Sequence, residues 1–291
     1  MFNQPKHLIG FCTFSIFRES QNVEKAYKNS KFNRLNQMKP TLKIEGEYRY
    51  WEQGEGQPII VLHGLMGDLS NFDSLFRYFS ENGYKVIIPQ LPLYTLPILR
   101  TNVKNLAKFV RDFLDFKQIK KAVLLGNSLG GHVALYFTKY SQRYVKALVL
   151  TGSSGLYEKS LGSTYPKRGD REYIRNKISE VFYDPAVTTD ELVDTIMETI
   201  SDRMKVIKIL ALAKSAIRHN MAEDLPEMNV PACIIWGRDD MVTPPEVAED
   251  FNKLLPDSDI FWVEKCGHAA MMEHPELFNQ ILHDWFKVRG I

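Results

Sequence analysis

The sequence of 291 residues predicts an α/β fold in which helices flank a mostly parallel β-sheet and a helical cap interrupts it. Three observations predict this fold. Short apolar runs alternate with amphipathic helical segments, the alternation stops over residues 153–225, and it resumes from residue 226. A helical insert at this point of a parallel sheet indicates a cap over the carboxyl ends of the strands, where open sheets of this class carry their sites.

The first half of the predicted core spans residues 38–152. From residue 41, LKIEGEYRYWEQGEG alternates and ends in glycines, which predicts a hairpin of two strands. Continuous apolar runs then predict strands buried on both faces at PIIVLH (58–63), YKVIIP (84–89), KAVLLG (121–126) and VKALVLTG (145–152). The segments between them predict helices in SNFDSLFRYFSENG, TNVKNLAKFVRDFLDF and SLGGHVALYFTKYS.

The cap is predicted over residues 153–225, where no buried strand is apparent in the sequence. Its helical segments are REYIRNKISEVFYD, TDELVDTIMETISDRM and KVIKILALAKSAIRHN. The second half of the core, residues 226–291, returns to the sheet pattern. It predicts strands at ACIIWG (232–237) and DIFWVE (259–264), with helices from Pro245 to Leu255 and from Pro275 to Val288.

Residues 1–37 are expected to be an extension that precedes the folded core. The apolar stretch LIGFCTFSIF (8–17) has about the length of a signal-peptide core, so a signal or membrane anchor stays open as an alternative. No small-residue cleavage pattern follows it. Met38 is an alternative start, because the strand pattern begins only after it.

Composition and charge exclude several classes of function. The net charge of +2 and the absence of a basic cluster interleaved with aromatics argue against a nucleic-acid partner. No apolar run approaches the roughly 20 residues that span a bilayer. The cysteines Cys12, Cys233 and Cys266 are too far apart for a zinc or redox motif, and their small number suits a reducing, cytoplasmic location. Nothing in the sequence indicates a homo-oligomer.

The segment Gly126-Asn127-Ser128-Leu129-Gly130 matches the pattern G-x-S-x-G. It follows an apolar strand and precedes an amphipathic helix, so that Ser128 lies on a sharp strand-to-helix turn. Such a turn needs glycine because neighbouring chain segments approach it closely. We therefore expect Ser128 to be a nucleophile, and the alternative is a serine that only caps the helix.

A serine nucleophile needs a base and an acid, which follow it here in the chain order Ser, Asp, His. Asp240 comes just after the strand ACIIWG, and His268 comes just after the strand DIFWVE. All three side chains therefore follow carboxyl ends of strands, at one edge of the sheet. Asp239 is the alternative acid. The other candidate bases are expected to be structural or surface residues: His132, His219, His274 and His283.

The loop His63-Gly64-Leu65-Met66-Gly67 follows the strand PIIVLH. A loop at this place normally supplies one backbone N–H of an oxyanion hole, and the residue after the nucleophile supplies the other. This predicts the amides of Leu65 and Leu129 as the two donors. His63 is expected to brace the loop without transferring a proton, and Met66 is a candidate for contact with substrate.

Together, the motifs HGLMG, GNSLGG, WGRDDMVTP and CGHAAMMEHPELFN make residues 41–291 resemble the α/β-hydrolase superfamily, cap included. Within it, GNS-x-GG, WGRDD and CGH make the chain look most like the C–C bond hydrolases of aromatic meta-cleavage pathways. The resemblance implies the α/β-hydrolase fold and a serine mechanism. It also implies that Asn127, the residue before the nucleophile, belongs to the active site.

Two positions depart from that family. It carries a cap arginine that binds the substrate carboxylate, where alignment of TDELVDTIM places Ile196, and a tryptophan after the catalytic histidine, where this chain has Ala269. Both residues are candidates for contact with substrate. Because isoleucine cannot pair with a carboxylate, a dienoate substrate is not favoured unless Arg203 replaces the missing arginine. In the loop QLPLYTLPIL, Tyr94 either reaches the pocket or belongs to a rigid surface loop.

The sequence therefore predicts a serine hydrolase that transfers an acyl group from a small to medium apolar ester to water. This chemistry requires no metal and no organic cofactor. The cap stripe of Leu192, Ile196, Met197 and Met204, with Met271 and Met272, is either core or the lining of an apolar pocket. Two alternatives stay open: a C–C hydrolase of a diketone-like substrate, and a ligand-binding receptor that turns over slowly.

Overall fold

The computed structural model describes residues 40–158 and 169–291. The predicted extension, residues 1–37, lies outside the described residues, as does the short stretch 159–168 of the predicted cap. The described residues from Leu42 to Ile291 form one compact unit.

The centre of this unit is an eight-stranded sheet with strand order β1-β2-β4-β3-β5-β6-β7-β8. Its strands are β1 (Lys43–Glu45), β2 (Tyr48–Gln53), β3 (Gln57–Leu62), β4 (Tyr84–Pro89), β5 (Ala122–Asn127), β6 (Val145–Thr151), β7 (Ala232–Gly237) and β8 (Ser258–Val263). β1 and β2 form the antiparallel hairpin, β2 pairs antiparallel with β4, and the other neighbours pair in parallel. The prediction of a mostly parallel sheet is confirmed, with strand bounds within one or two residues.

Helices cover both faces of the sheet. They are α1 (Asp73–Glu81), α2 (Val103–Phe116), α3 (Leu129–Ser141), α7 (Pro245–Leu254), α8 (Ala270–Glu273) and α9 (Pro275–Arg289). Successive residues of a strand point to opposite faces. In β3, Ile60 and Leu62 accordingly belong to one apolar cluster with α2 and α3, whereas Ile59 and Val61 belong to a second cluster with α1 and α9. The sheet therefore has a separate core on each face.

Three further helices lie between β6 and β7: α4 (Arg171–Ser179), α5 (Asp190–Ser201) and α6 (Arg203–Arg218). Each begins at an acidic or hydroxyl side chain that accepts a backbone N–H of the first turn: Asp170, Thr189 and Asp202. The apolar side chains of α4 and α5 form their own cluster of Ile174, Ile178, Val193, Ile196 and Ile200. These three helices together are called the cap.

Direct contacts hold the cap on the segments that follow strands β4 and β8. The backbone N–H of His268 donates to the Val181 carbonyl at 2.9 Å. The Glu273 carboxylate accepts the backbone N–H of Tyr183 at 2.8 Å, and the Lys208 ammonium donates to the Tyr94 carbonyl at 2.7 Å. The cap thus covers the carboxyl edge of the sheet. Within residues 40–158 and 169–291, none of the helices combines the length and apolar character needed to span a bilayer.

Candidate active site

Ser128 lies on a strained turn between β5, which ends at Asn127, and α3, which begins at Leu129. Its φ of 54° and ψ of −122° are unusual for a residue with a side chain. The flanking glycines make this turn compatible with the fold. A Cβ atom on Gly126 would collide with the backbone of Gly130, and one on Gly130 would collide with the carbonyl oxygen of Leu62.

His268 is held by Asp240 through a hydrogen bond of 2.9 Å between the imidazole Nδ1 and the carboxylate Oδ2. The Asp240 side chain is fully buried, and its Oδ1 accepts the backbone N–H groups of Val242 and Thr243 at 2.8 and 2.9 Å. Asp239, the alternative acid, is exposed to solvent. Because Nδ1 of His268 is bound to Asp240, the other ring nitrogen, Nε2, is available to groups in the cavity.

Ser128 and His268 line the same cavity. Among the described residues, the Ser128 hydroxyl makes no hydrogen bond, and neither does His268 Nε2. Contacts between a nucleophile and its base are often long in the absence of substrate and shorten in the complex. Gly152 lies close to the imidazole ring, because a Cβ atom at this position would be 2.8 Å from His268 Nδ1.

The charges around His268 set its proton affinity. Burial lowers the pKa of the imidazole, but Asp240, Glu158 and Glu273 raise it more, so that the net pKa lies above its ordinary value. The largest of the raising effects comes from Asp240, both by charge and by its hydrogen bond. The imidazolium is therefore stabilised, as a base that must accept a proton requires.

Two backbone amides of the cavity lining have no hydrogen-bond acceptor within the described part of the chain. Leu129 is the first residue of α3, so its N–H has no acceptor within the helix. The N–H of Leu65 donates to no acceptor within the described part of the chain. Both residues line the cavity, and Gly64 lies close enough to the serine that a Cβ atom there would be 3.2 Å from Ser128 Cβ. Both predicted donors thus belong to the lining of one cavity, and their role as an oxyanion hole stays a prediction.

The loop that carries Leu65 is fixed by His63. The Nδ1 atom of His63 is 3.0 Å from the Gly64 carbonyl, and its Nε2 accepts the backbone N–H of Leu91 at 3.0 Å. Burial lowers the pKa of this imidazole, which keeps it neutral with the proton on Nδ1. His63 therefore braces the loop, as predicted.

Asn127 connects the turn of Ser128 to the loop of His268. Its amide Nδ2 donates to the carbonyl of Thr151 at 3.0 Å and to the carbonyl of His268 at 3.2 Å. The Asn127 side chain is buried and also lines the cavity. Its visible contribution is therefore to hold the backbone of His268 next to Ser128.

The cavity has a volume of about 810 Å³ and lies between the core loops and the cap. The core supplies the predicted residues Met66 and Ala269, and Met66 has a positive φ of 57°. The cap supplies Ile196 and other apolar side chains, among them Leu192, Ile200, Val206, Ile209 and Leu210. A cavity with this lining suits a substrate that is largely apolar.

The family model of the alpha/beta hydrolase family matches residues 59–281 of the chain. The chain belongs to the alpha/beta hydrolase family. The solved structure of an alpha/beta hydrolase enzyme from the metagenome of sediments from the lagoon of Mar Chica, Morocco, is 54% identical to it, with a TM-score of 0.72 and coverage of 86% of this chain and 100% of that one. The protein is thus a hydrolase of α/β fold.

Two further comparisons concern hydrolases of different bonds. The 2-hydroxy-6-oxononadienedioate/2-hydroxy-6-oxononatrienedioate hydrolase of Pseudomonas sp is 28% identical over 259 residues, which are 82% of this chain and 91% of that protein. An esterase from Exiguobacterium antarcticum is 20% identical and has a TM-score of 0.71, with coverage of 86% of this chain and 100% of that one. The latter likeness establishes the shared fold.

Two alternatives that the sequence left open for this alpha/beta hydrolase are not supported. Arg203 is exposed and does not line the cavity, so it does not replace the cap arginine of the related C–C hydrolases. Tyr94 packs against the core of the sheet, and it too is absent from the cavity lining.

The predicted apolar stripe has divided roles. Leu192, Ile196 and Met272 line the cavity of the hydrolase, Met197 packs into the cap cluster, Met271 is buried in the core, and Met204 is 47% exposed.

The four histidines set aside as bases have other partners in the hydrolase. His132 Nε2 and His219 Nδ1 are 3.1 Å apart, His274 Nε2 is 2.8 Å from the Lys265 carbonyl, and His283 Nδ1 is 2.6 Å from the Tyr78 hydroxyl.

Three residues of the site were missed by the sequence reasoning. The Thr243 hydroxyl donates to Asp240 Oδ2 at 2.8 Å, and a threonine three residues after an aspartate is a recognisable turn signal. The Glu273 carboxylate accepts the backbone N–H of Gly267 at 2.7 Å, beside the His268 loop. Glu158 lines the cavity, and nothing in its sequence context marks it.

Proposed function

We propose that this protein is a serine hydrolase that transfers the acyl group of a small to medium, mostly apolar ester to water through an acyl-enzyme on Ser128. The observation that carries the proposal is the strained turn that presents Ser128 to the cavity shared with the Asp240-bound His268. A serine held in this way, beside an oriented imidazole, is the arrangement that activates a hydroxyl.

In the first half of the proposed reaction, His268 Nε2 takes the proton of the Ser128 hydroxyl as the oxygen attacks the ester carbonyl. Asp240 keeps the proton of the imidazole on Nδ1, so that Nε2 is the basic nitrogen, and it stabilises the imidazolium that forms. The imidazolium then gives its proton to the leaving alcohol, and the acyl group stays on Ser128.

In the second half, a water molecule gives its proton to His268 and attacks the acyl carbonyl. The carboxylic acid leaves as Ser128 regains a proton from the imidazolium. In both halves the amides of Leu65 and Leu129 bind the oxyanion of the tetrahedral intermediate. Removal of one such donor typically costs about 2.7–4 kcal/mol of transition-state stabilisation.

A C–C hydrolase of a diketone-like substrate is the second candidate. The relative from Pseudomonas sp supports it, as does the sequence around Ser128. The cavity favours the ester, because Ile196 lines it at the position of the carboxylate-binding arginine and Arg203 lies outside it. An acidic dienoate would therefore lack the arginine partner, and the lysine of the described lining, Lys177, is already bound to Glu180.

The proposal is tested by turnover of two substrate classes. The purified full-length chain is assayed on p-nitrophenyl acetate, butyrate and hexanoate, and in parallel on a ring-cleavage dienoate whose visible absorbance falls on cleavage. Ester hydrolysis with kcat/KM at least about 100-fold above that for the dienoate supports the esterase. The opposite order favours the C–C hydrolase, and a folded protein that turns over neither class contradicts both and favours a ligand-binding receptor.

A further inference from the structure

Glu158 places an acidic group inside the cavity that Ser128 and His268 share. Its carboxyl is partly buried. Burial raises the pKa of this carboxyl, and the nearby His268 opposes the rise only in part. Glu158 therefore lies near the reacting groups, in surroundings that solvate a negative charge poorly.

The backbone that leads to Glu158 is tied to the segment after α6. The carbonyl of Gly155 accepts the backbone N–H of Met221 at 2.7 Å. The carbonyl of Leu156 accepts the side-chain amide of Asn220 at 2.9 Å. These two hydrogen bonds hold the backbone two and three residues before Glu158, close to where the chain reaches the cavity.

The carboxyl of Glu158 has no hydrogen bond or ion pair with any residue in the described ranges 40–158 and 169–291. The other acidic residue of the lining, Glu180, is bound by Lys177, with 2.7 Å between Nζ and Oε1. The cap also supplies apolar side chains to the lining, among them Ile196 and Ile209. The described lining therefore carries one acidic group without a cationic partner.

A carboxylate in apolar surroundings is stabilised by a cation that comes to it, and it repels a second carboxylate. We propose that Glu158 selects the substrate by charge, so that the hydrolase prefers a substrate with an apolar body and one positively charged group over substrates that carry a carboxylate. This inference rests on the proposed function for the reaction that follows. Its binding step, however, can be measured without turnover.

The binding test uses Ser128→Ala, which cannot form the acyl-enzyme, and two esters of the same shape. One is the p-nitrophenyl ester of 4-(trimethylammonio)butanoate, and the other is the ester of 5,5-dimethylhexanoate, in which carbon replaces the charged nitrogen. At pH 8, we expect Ser128→Ala to bind the cationic ester about 10- to 100-fold more tightly than its neutral isostere, because a carboxylate and a cation attract each other strongly where water is largely excluded. Calorimetry measures both dissociation constants.

The additional substitution Glu158→Gln should bring the ratio of the two dissociation constants close to one. Glu198→Gln is the matched control, because Glu198 is exposed on α5 and does not line the cavity, yet its loss changes the net charge equally. It should leave the ratio as it was. An unchanged ratio in the folded Glu158→Gln variant, or equal loss in both variants, overturns the role of Glu158.

Hydrolysis by the protein with Ser128 intact separates this inference from the proposed reaction. The mono-p-nitrophenyl ester of adipate serves as the anionic substrate. We expect kcat/KM to fall in the order cationic, neutral and anionic, and the difference to shrink in Glu158→Gln. Hydrolysis of all three esters at equal rates overturns the selection by charge while supporting the esterase. A preference in binding without hydrolysis of any ester supports the role of Glu158 and contradicts the esterase.

Discussion

The core loops and the cap helices face each other across one cavity, but they hold their side chains by different forces. On the core side, Asp240 accepts four hydrogen bonds, from two backbone amides, the Thr243 hydroxyl and His268. On the cap side, Leu192 and Ile196 are held by apolar contacts within their cluster. Hydrogen bonds are directional and apolar contacts are not.

The reacting groups need precise placement, whereas the substrate-facing wall does not. A proton transfer requires atoms to be placed to within a fraction of an ångström. The core supplies this precision with the buried, hydrogen-bonded Asp240 and with close backbone approaches that glycine permits. An apolar wall tolerates rearrangement, since its contacts depend on area more than on angle. The core should therefore control the rate of the chemical step, and the cap should control which substrate is accepted.

The largest expected effect is on the core side, at Ser128 and His268. Ser128→Ala and His268→Ala should each lower kcat for p-nitrophenyl butyrate by about 10⁴-fold or more, because either loss removes the activated nucleophile. Steady-state kinetics and a thermal unfolding curve on each variant provide the measurement. Residual turnover above about one per cent in a variant that unfolds at the parent temperature would contradict the assignment.

A smaller effect is expected at Thr243, which acts through Asp240. Thr243→Val keeps the shape but removes the hydroxyl that donates to Asp240 Oδ2 at 2.8 Å. We expect kcat to fall about 10- to 100-fold with little change in KM, since a buried acceptor loses its partner and the carboxylate is less well oriented. Thr243→Ser restores the hydroxyl and should recover most of the activity. Equal losses in both variants would indicate a role in packing alone.

Substitutions in the cap should change the selectivity between substrates but not the rate of the chemical step. Leu192→Ala shortens a side chain of the wall and so enlarges the cavity. The ratio of kcat/KM for the hexanoyl ester to that for the acetyl p-nitrophenyl ester should change by about tenfold. The kcat for the acetyl ester should stay within about threefold of the parent value. If kcat for both esters instead fell about 10- to 100-fold, as expected for Thr243→Val, the cap would help to place the reacting atoms. The distinction between the two regions would then be lost.

The smallest expected effect is a shift in the pH profile. Glu158 contributes to raising the pKa of His268, and the proposed mechanism requires the neutral imidazole as the base. For a neutral ester, kcat/KM should therefore decline as the pH falls through the pKa of His268, and Glu158→Gln should move this decline to lower pH. Glu198→Gln should leave the midpoint where it is. A midpoint that moves to higher pH in Glu158→Gln would contradict the electrostatic account.

The core could be predicted from the sequence because its signals are local. YKVIIP and ACIIWG are strands over the predicted residues, and KAVLLG is displaced by one residue. The positions of Ser128, Asp240 and His268 followed from motifs that directly succeed such strands. In a parallel sheet, this alone brings their carboxyl ends to one edge.

The rest depended on contacts that sequence spacing does not reveal. Glu158 enters the cavity because residues 155 and 156 are bonded to residues 220 and 221, more than sixty positions away. Arg203 and Ile196 lie seven residues apart, yet Arg203 is exposed on α6 while Ile196 faces the cavity from α5. Helical periodicity places residues on one face of a helix, but the packing of helices decides which face meets the substrate.

The most direct test of the account is covalent labelling by a fluorophosphonate, with the modified residue located by peptide mass spectrometry. We predict one adduct per chain, on Ser128, none in Ser128→Ala, and strongly slowed labelling in His268→Ala. A folded protein that stays unlabelled, or that carries the adduct on another residue, would contradict the claim that Ser128 is the nucleophile.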